Sequence, residues 1–291
     1  MEPTSSGQHV LIKDQTRIKK ALRYTTIVVN SRDRNYVSYP NSNHFRYTLR
    51  RPLTNVHSIE LMNGTIPSFL YNINVGWNTF SFSEGSNLCT IILNPGFYNE
   101  LDLSTELQTQ LNAIPGKLNT YVVTFASHTK KIQITGIGGV SFSFLFYSGV
   151  PHDEIDLNSM AILSINTPAR QLGFGITDYS SVNGTVEAPL AMDIDNFLNR
   201  IYLHISSDGK NLSRMELGAG RQDCFHMFIL TPGQTNYLYL DKETDHSLFT
   251  SSPAPLARIS NLEISLRDEF HRPIDLQYRE VNLVFEICHL E

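Results

Sequence analysis

The 291-residue sequence contains none of the short motifs that announce common chemistry. It has no G-x-S-x-G, no G-x-x-x-x-G-K-[ST], no H-E-x-x-H and no C-x-x-C. Nucleophile-elbow hydrolases, P-loop nucleotide hydrolases, zincins and CxxC redox centres therefore have no foothold. The glycine clusters GIGG at 136 to 139 and GAGRQD at 218 to 223 lack the strand-to-helix context in which glycines cradle phosphate, and they read as turns. Cysteine is scarce. Cys89, Cys224 and Cys288 are odd in number, widely spaced and set in apolar runs, which indicates buried reduced thiols rather than a disulfide framework. A basic excess is missing too: 23 Lys and Arg against 28 Asp and Glu give a net charge of −5, which argues against whole-chain nucleic-acid binding. No apolar run reaches about 18 residues, and the opening MEPTSSGQHVLIKDQ has no signal-peptide core, so the expectation is a soluble chain.

The residue pairs that invite chemistry are incomplete. Asp193 and Asp195 share one face of an extended segment, but a hard cation needs more oxygen ligands than two carboxylates supply, and a solvated turn explains them better. Cys224 with His226, and Cys288 with His289, lack both the four-ligand set of zinc and the third group of a Cys-His nucleophile. His44 and His204 fall on the polar side of alternating runs, where exposure accounts for them. The triplets at Asn63, Asn183 and Asn211 match glycosylation sites by chance in a sequence rich in Asn, Ser and Thr. No catalytic, cofactor or metal residue is assigned.

What is present is alternation. Phe45, Tyr47 and Leu49 point one way in HFRYTLRR while His44, Arg46, Thr48 and Arg50 point the other. The same period of two recurs at Ile201, Leu203 and Ile205, at Leu262, Ile264 and Leu266, and at Val281, Leu283, Phe285 and Ile287. Shorter runs such as TFSFSE, CTIILN, YVVTFAS, KIQITG and SFSFLFY lie between Gly, Pro, Asn and Asp turns. Many short strands without alternating helices predict a mainly β chain folded as an antiparallel sandwich. One segment departs from this. Leu103, Leu107 and Leu111 recur every four residues behind Asn99 as N-cap, with Glu100 and Asp102 in the first turn and Pro115-Gly116 as the stop, which predicts one amphipathic helix over about 99 to 114.

Surface chemistry is concentrated near the start. NSRDRNYVSYPNSNHFRYTLRRPL, residues 30 to 53, combines Arg32, Arg34, Arg46, Arg50 and Arg51 with Asn and Tyr, residue types that serve interfaces as readily as turns. Upstream, Lys13, Arg17, Lys19, Lys20 and Arg23 face one acid, Asp14, in a basic N-terminal arm suited to an anionic surface or an acidic neighbour.

Five blocks in order carry a resemblance: VVNSRDRNYVSYPNSNHFRYTL, NVHSIELMNGTIPSFLYNI, IILNPGFYNELDLSTELQTQLN, LGF and LARISNLEISLRDEFHRPIDL. Together they resemble the penton and minor capsid proteins of large icosahedral double-stranded DNA viruses, with the poorest match over residues 140 to 200. That resemblance implies a jelly roll whose strands come from both ends of the chain, residues 23 to 72 and 190 to 291, with an insertion domain at 73 to 189 and the arm at 1 to 22. It implies a non-enzymatic capsid subunit, foremost a penton that closes as a homopentamer. Its partners would be the major capsid protein and other minor capsid proteins in the virion, with the arm reaching neighbours or an inner membrane. The alternatives are a minor capsid protein beneath the hexagonal capsomers, or a carbohydrate- or receptor-binding sandwich using Trp77, Tyr98, Tyr179 or Tyr237. A ring needs two different surfaces. The expected pair sets Arg32, Arg34 and Arg46, on the solvent side of the first strands, against Glu263, Asp268 and Glu269 of a neighbouring copy.

Overall fold

The computed structural model describes residues 21–151, 154–156, 161–163, 166–194, 200–213, 215, 223–230, 236–242, 256–268 and 272–290. In chain order the strands are β1 (Leu22–Asn30), β2 (His44–Pro67), β3 (Thr79–Glu84), β4 (Asn87–Ile92), β5 (Thr120–Ala126), β6 (Lys131–Ile137), β7 (Phe142–Leu145), β8 (Glu154–Asp156), β9 (Ala161–Leu163), β10 (Asp178–Ser180), β11 (Thr185–Glu187), β12 (Arg200–Ser207), β13 (Lys210–Asn211), β14 (His226–Ile229), β15 (Tyr237–Asp241), β16 (Leu256–Arg267) and β17 (Asn282–Leu290). Among the described residues a single α-helix, α1 (Glu100–Asn112), lies between β4 and β5. All strand pairings among the described residues are antiparallel.

The organising element is β2, a continuous strand of 24 residues. Val56 pairs with Leu256 of β16 on one edge and with His289 of β17 on the other, while Asn63 pairs with Asp241 of β15 and with Val284 of β17. The N-terminal half of β2 therefore belongs to the block β2-β16-β12, with β13 and β14 on the far edge of β12. Its C-terminal half belongs to the block β1-β17-β2-β15. Register shifts opposite Ile259 to Asn261, Val284 to Phe285 and Cys288 to His289 bend the strand between its two memberships. Pro52 sits within the first of these irregularities, where no ladder N–H is required. Gly64 is fixed by proximity: a Cβ there would lie 2.4 Å from the carbonyl oxygen of Asn282.

The inward positions of both blocks meet in one core that includes Phe45, Leu262, Ile264, Leu203, Ile59 and Phe285. Phe225, just before β14, meets Phe285 of β17 edge-on at 6.1 Å, so the two blocks face one another as a sandwich. The alternation thus yields the antiparallel sandwich it predicts. It misplaces His204, however, which is 9% exposed on the outer side of β12 instead of free in water.

A second core, sharing no residue with the first, is built from residues between Ile73 and Ile194. Phe80, Phe82, Phe142, Phe144, Phe146 and Phe174 pack there ring against ring, on the inward face of the sheet β10-β7-β3-β4 and the loop after Thr167. Leu103, Leu107 and Leu111 of α1 are fully buried against this core. Asn99 caps the helix, its Oδ1 accepting from the Asp102 N–H at 2.8 Å. The helix also protects a sheet edge. Val123 N–H donates to Gln108 Oε1 at 2.9 Å and Tyr121 N–H to Asn112 Oδ1 at 2.9 Å, so side chains of α1 stand in for a further strand beside β5 of the sheet β11-β6-β5.

One charge holds the two sheets of this module in register. Glu84, at the end of β3 and 2% exposed, accepts hydrogen bonds from the backbone N–H groups of Leu118 (2.6 Å) and Asn119 (2.7 Å) and from the Tyr121 hydroxyl. Burial by itself would raise its pKa; the bonds from Tyr121, Leu118 and Asn119 outweigh that and hold it below the ordinary carboxylate value. Burial, and next the bond to Glu84, push the Tyr121 phenol well above its usual value. Because the folded pKa of Glu84 is depressed, its contribution to stability is complete above the unfolded value of about 4.3 and is lost as pH falls through the native one. Glu84→Gln replaces one of the two accepting oxygens by an NH2 group that faces a backbone N–H, and should destabilise the protein by about 3 kcal/mol. Thermal melts across the acid range should also show a shallower loss of stability in the variant than in the wild type; an equal slope would remove Glu84 from this role.

Candidate functional site

The belt of residues 30 to 43 is where surface chemistry was expected, and the structure shows why the chain turns there. Asn30 Oδ1 accepts from Arg32 N–H at 2.9 Å and starts a single 3-10 turn, Ser31–Asp33. Asn35 Oδ1 then accepts from the N–H groups of Val37 (3.0 Å) and Ser38 (3.1 Å), an Asx-type turn. Arg32 is exposed, but Arg34 is not: its side chain is 3% accessible. Its guanidinium donates to the carbonyls of Ser31 (2.8 Å), Tyr39 (3.0 Å) and Pro40 (3.2 Å), and its Nη1 lies 2.8 Å from the Glu280 carboxylate. The Tyr36 ring covers it at 4.2 Å. Ser31 Oγ donates to Glu280 and accepts from Val281 N–H at 2.8 Å. Farther along, Ser42 Oγ donates to the Arg279 carbonyl and Asn43 Nδ2 to the Ile274 carbonyl, so the belt is laced to residues 274 to 281.

These contacts give Arg34, Arg46, Glu263 and Asp268, expected to pair between copies, partners within their own chain. Arg34 points inward because three backbone carbonyls of its own loop need a donor. Arg46 Nη2 lies 3.0 Å from Glu263 of the same chain, its neighbour across the β2-β16 ladder, and His44 Nε2 meets the other oxygen of that carboxylate at 2.9 Å. The Arg46 hydrogen bond, against a smaller opposing effect of burial, draws the Glu263 pKa down; the same bond raises that of Arg46. Asp268 is 2% exposed and accepts from Arg272, from its N–H at 2.9 Å and from its Nε at 2.8 Å. Glu269 lies outside the described residues. Of the expected residues, only Arg46 and Glu263 are brought together, and they meet within one subunit.

Arg272 leads to an open cleft of about 740 Å³ between the two cores. Its guanidinium lies 4.3 Å over the Trp77 ring, which is 6% exposed and donates from Nε1 to the Asn72 carbonyl at 3.1 Å. Trp77 is therefore a buried partner of an arginine, not the open aromatic platform expected. The walls of the cleft include Asn41, Tyr71, Gly76, Asp275, Gln277 and Tyr278. No signal in the sequence marks this place, because its residues come from three separated stretches and none belongs to a recognisable motif.

The other candidates resolve locally. Asp193 pairs with Arg170 at 2.6 Å, and Asp195 lies outside the described residues. Cys224 is fully buried, and burial, helped by Asp223, pushes its thiol up to about 11, far from a reactive thiolate. Among the described residues no three His, Cys, Asp or Glu side chains converge as a metal site would require. Tyr98 and Tyr179 are half-buried against the second core, and Tyr237 is half-buried on β15. The basic arm, with Lys13, Arg17, Lys19 and Lys20, lies outside the described residues apart from Arg23.

The two arginines therefore separate by mutation. Arg34→Ala strands Glu280 and three carbonyls and should cost about 3–5 kcal/mol, as removal of one partner from a buried ion pair does. Arg46→Ala disturbs a half-exposed pair and should cost under about 1 kcal/mol. Chemical denaturation of both variants measures the contrast, and similar midpoints would contradict the burial difference.

A family model described as a family of unknown function, DUF5901, matches residues 17–137. No curated protein matches the chain. Among solved structures, the chain is similar to the crystal structure of the selenomethionine-labelled mavirus penton protein, at 13% sequence identity and a TM-score of 0.36, over 94% of this chain and 100% of that one. It is also similar to a chain in the 3.5 Å cryo-EM structure of the Sputnik virophage, at 12% identity and a TM-score of 0.38, over 92% of this chain and 98% of that one.

Proposed function

We propose that this chain is a structural subunit of a viral capsid, residing in the virion, and that it forms the five-fold ring of a vertex. Its role is assembly rather than catalysis. The order of the capsid-like sequence blocks supports the reading, as does a sandwich whose strands come from both ends of the chain around an inserted module.

The observation that carries it is β1. Among the described residues β1 pairs with β17 on one edge and with no strand on the other. Its nine residues, LRYTTIVVN, pair without a register shift and include no proline; Arg23 is the sole charge. None of the usual protections of an exposed strand edge, a bulge, proline or lysine, is present. Its outward side presents Leu22, Tyr24 and Val28, each more than half exposed. A soluble monomer has little use for such an edge, whereas a subunit that buries it against a neighbour does. In a closing ring the neighbouring copy would meet this surface with a different one, a heterologous contact. Further contacts with the major capsid protein and other minor capsid proteins belong to the same proposal, with the N-terminal arm as a tether to neighbours or to an inner membrane.

Tyr24→Lys combined with Val28→Lys tests it. Both side chains face outward, so subunit stability should move by no more than a surface substitution does, about 0.5 kcal/mol each. Incorporation into vertices, scored by mapping the protein in purified particles, should fall severely. Vertex occupancy like that of the wild type would reject β1 as the ring surface, and a wild-type position beneath the hexagonal capsomers would reject the vertex itself.

A further inference from the structure

The cleft between the two cores has the features of a binding site, and we propose that it takes a neutral saccharide. Its volume of about 740 Å³ falls in the range of small-molecule sites, which favour junctions between structural units. Its rim holds an uncommon backbone conformation, supported locally by the Gln277 N–H donating to Asp275 Oδ1 at 2.8 Å. Arg279 N–H bonds the Leu276 carbonyl at 3.0 Å across Gln277 and Tyr278, whose φ values of 53° and 60° are both left-handed. Such a turn ordinarily takes Gly or Asn at its two central positions. Here it carries two bulky side chains, and backbone strain of this kind gathers at ligand sites. Leu276, 2% exposed, anchors the turn, and Tyr278, 86% exposed, stands out at the edge of the cleft.

The lining indicates the class of ligand. Gln277 Nε2 is buried yet makes no hydrogen bond among the described residues, although it lines the cleft. A donor in that state is satisfied when an acceptor arrives from outside. Asn41 and Asp275 add amide and carboxylate groups, and Tyr71 and Tyr278 add aromatic rings. A pyranose ring matches this mixture, since its C–H face lies on an aromatic ring while its hydroxyls both donate and accept. A phosphorylated or sulfated ligand is a poorer match: the cation of the lining, Arg272, is already paired with Asp268 and stacked on Trp77. Gly76 leaves its wall open, since a Cβ built there meets no atom within 4 Å.

Saturation-transfer NMR on the full chain, with the methyl glycosides of glucose, galactose, mannose and N-acetylglucosamine as probes, tests the site. At least one glycoside should receive magnetisation. Tyr278→Ala should weaken that glycoside about tenfold, the scale of one aromatic contact. Gln277→Gly should raise the melting temperature by relieving the left-handed strain while weakening the sugar, a combination that a purely structural role for the turn does not produce. Gly76→Phe should plug the cleft and abolish transfer with the fold intact. Silence from all four glycosides, or transfer that survives Gly76→Phe, would overturn the assignment. The isolated chain suffices for these measurements, so the result is independent of whether it forms a ring.

Discussion

The constraint on which the structure depends is the shared membership of β2. One strand of 24 residues supplies an edge to β16 and β15 on one side and to β17 on the other. Neither block of the sandwich can form from one end of the chain, because β1 and β2 come from the first 67 residues and β12 to β17 from residue 200 onward. Folding must therefore close a loop of more than a hundred residues before this core is rewarded. Loop closure grows only logarithmically with length, so the cost is tolerable, but it favours a loop that is already compact. The inserted segment meets that requirement with a core of its own, crowded with phenylalanine rings and closed by α1.

Two buried charges do for irregular backbone what ladders do for strands. Arg34 gathers the carbonyls of Ser31, Tyr39 and Pro40 in a loop that has no strand partner, and Glu84 gathers the N–H groups of Leu118 and Asn119 where the chain enters β5. They are mirror images, a cation surrounded by acceptors and an anion surrounded by donors. Each is also tied to a distant part of the sequence, Arg34 to Glu280 and Glu84 to Tyr121. A neutral side chain could fill the same space without gathering the orphaned backbone groups, which in a buried loop is the more expensive omission.

How much of this was legible follows from what periodicity can encode. Alternation identifies which residues of a strand share a side, and Phe45, Leu203, Leu262 and Phe285 are all in the core that their spacing indicates. The helix was equally readable, since Leu103, Leu107 and Leu111 repeat with its turn and Asn99 is its cap. The continuity of β2 was not: the alternation of HFRYTLRR ends before Pro52, and nothing in the sequence shows that the strand runs on through an irregular stretch to Pro67. Alternation also says nothing about what covers the polar side. His204, Asp268 and Trp77 were misread for that reason, as was Arg34, whose loop neighbours in sequence looked like solvent-facing turn residues. Glu84, followed by Gly85, has the appearance of an ordinary hairpin end, and nothing nearby announces the N–H groups waiting 34 residues downstream. The left-handed turn at Gln277 and Tyr278 was invisible because neither residue type favours it.

The seam between the two cores bears on how such a molecule divides its labour. The cores share no buried residue, and the contacts nearest the cleft are of another kind: Arg272 stacked on Trp77, with Asp268 steering the guanidinium. Polar and cation–π contacts are directional but contribute less than an apolar core of equal area, so each core retains most of its own stability if the seam changes. Substitutions in the cleft can accordingly alter its lining without disturbing the edge strand β1, whose neighbours are β17 and, through it, β2. That separation leaves the sandwich constrained by the pairing of β1, β17 and β2 and the inserted module constrained by its own phenylalanine core, with the seam between them free to change without unpacking either.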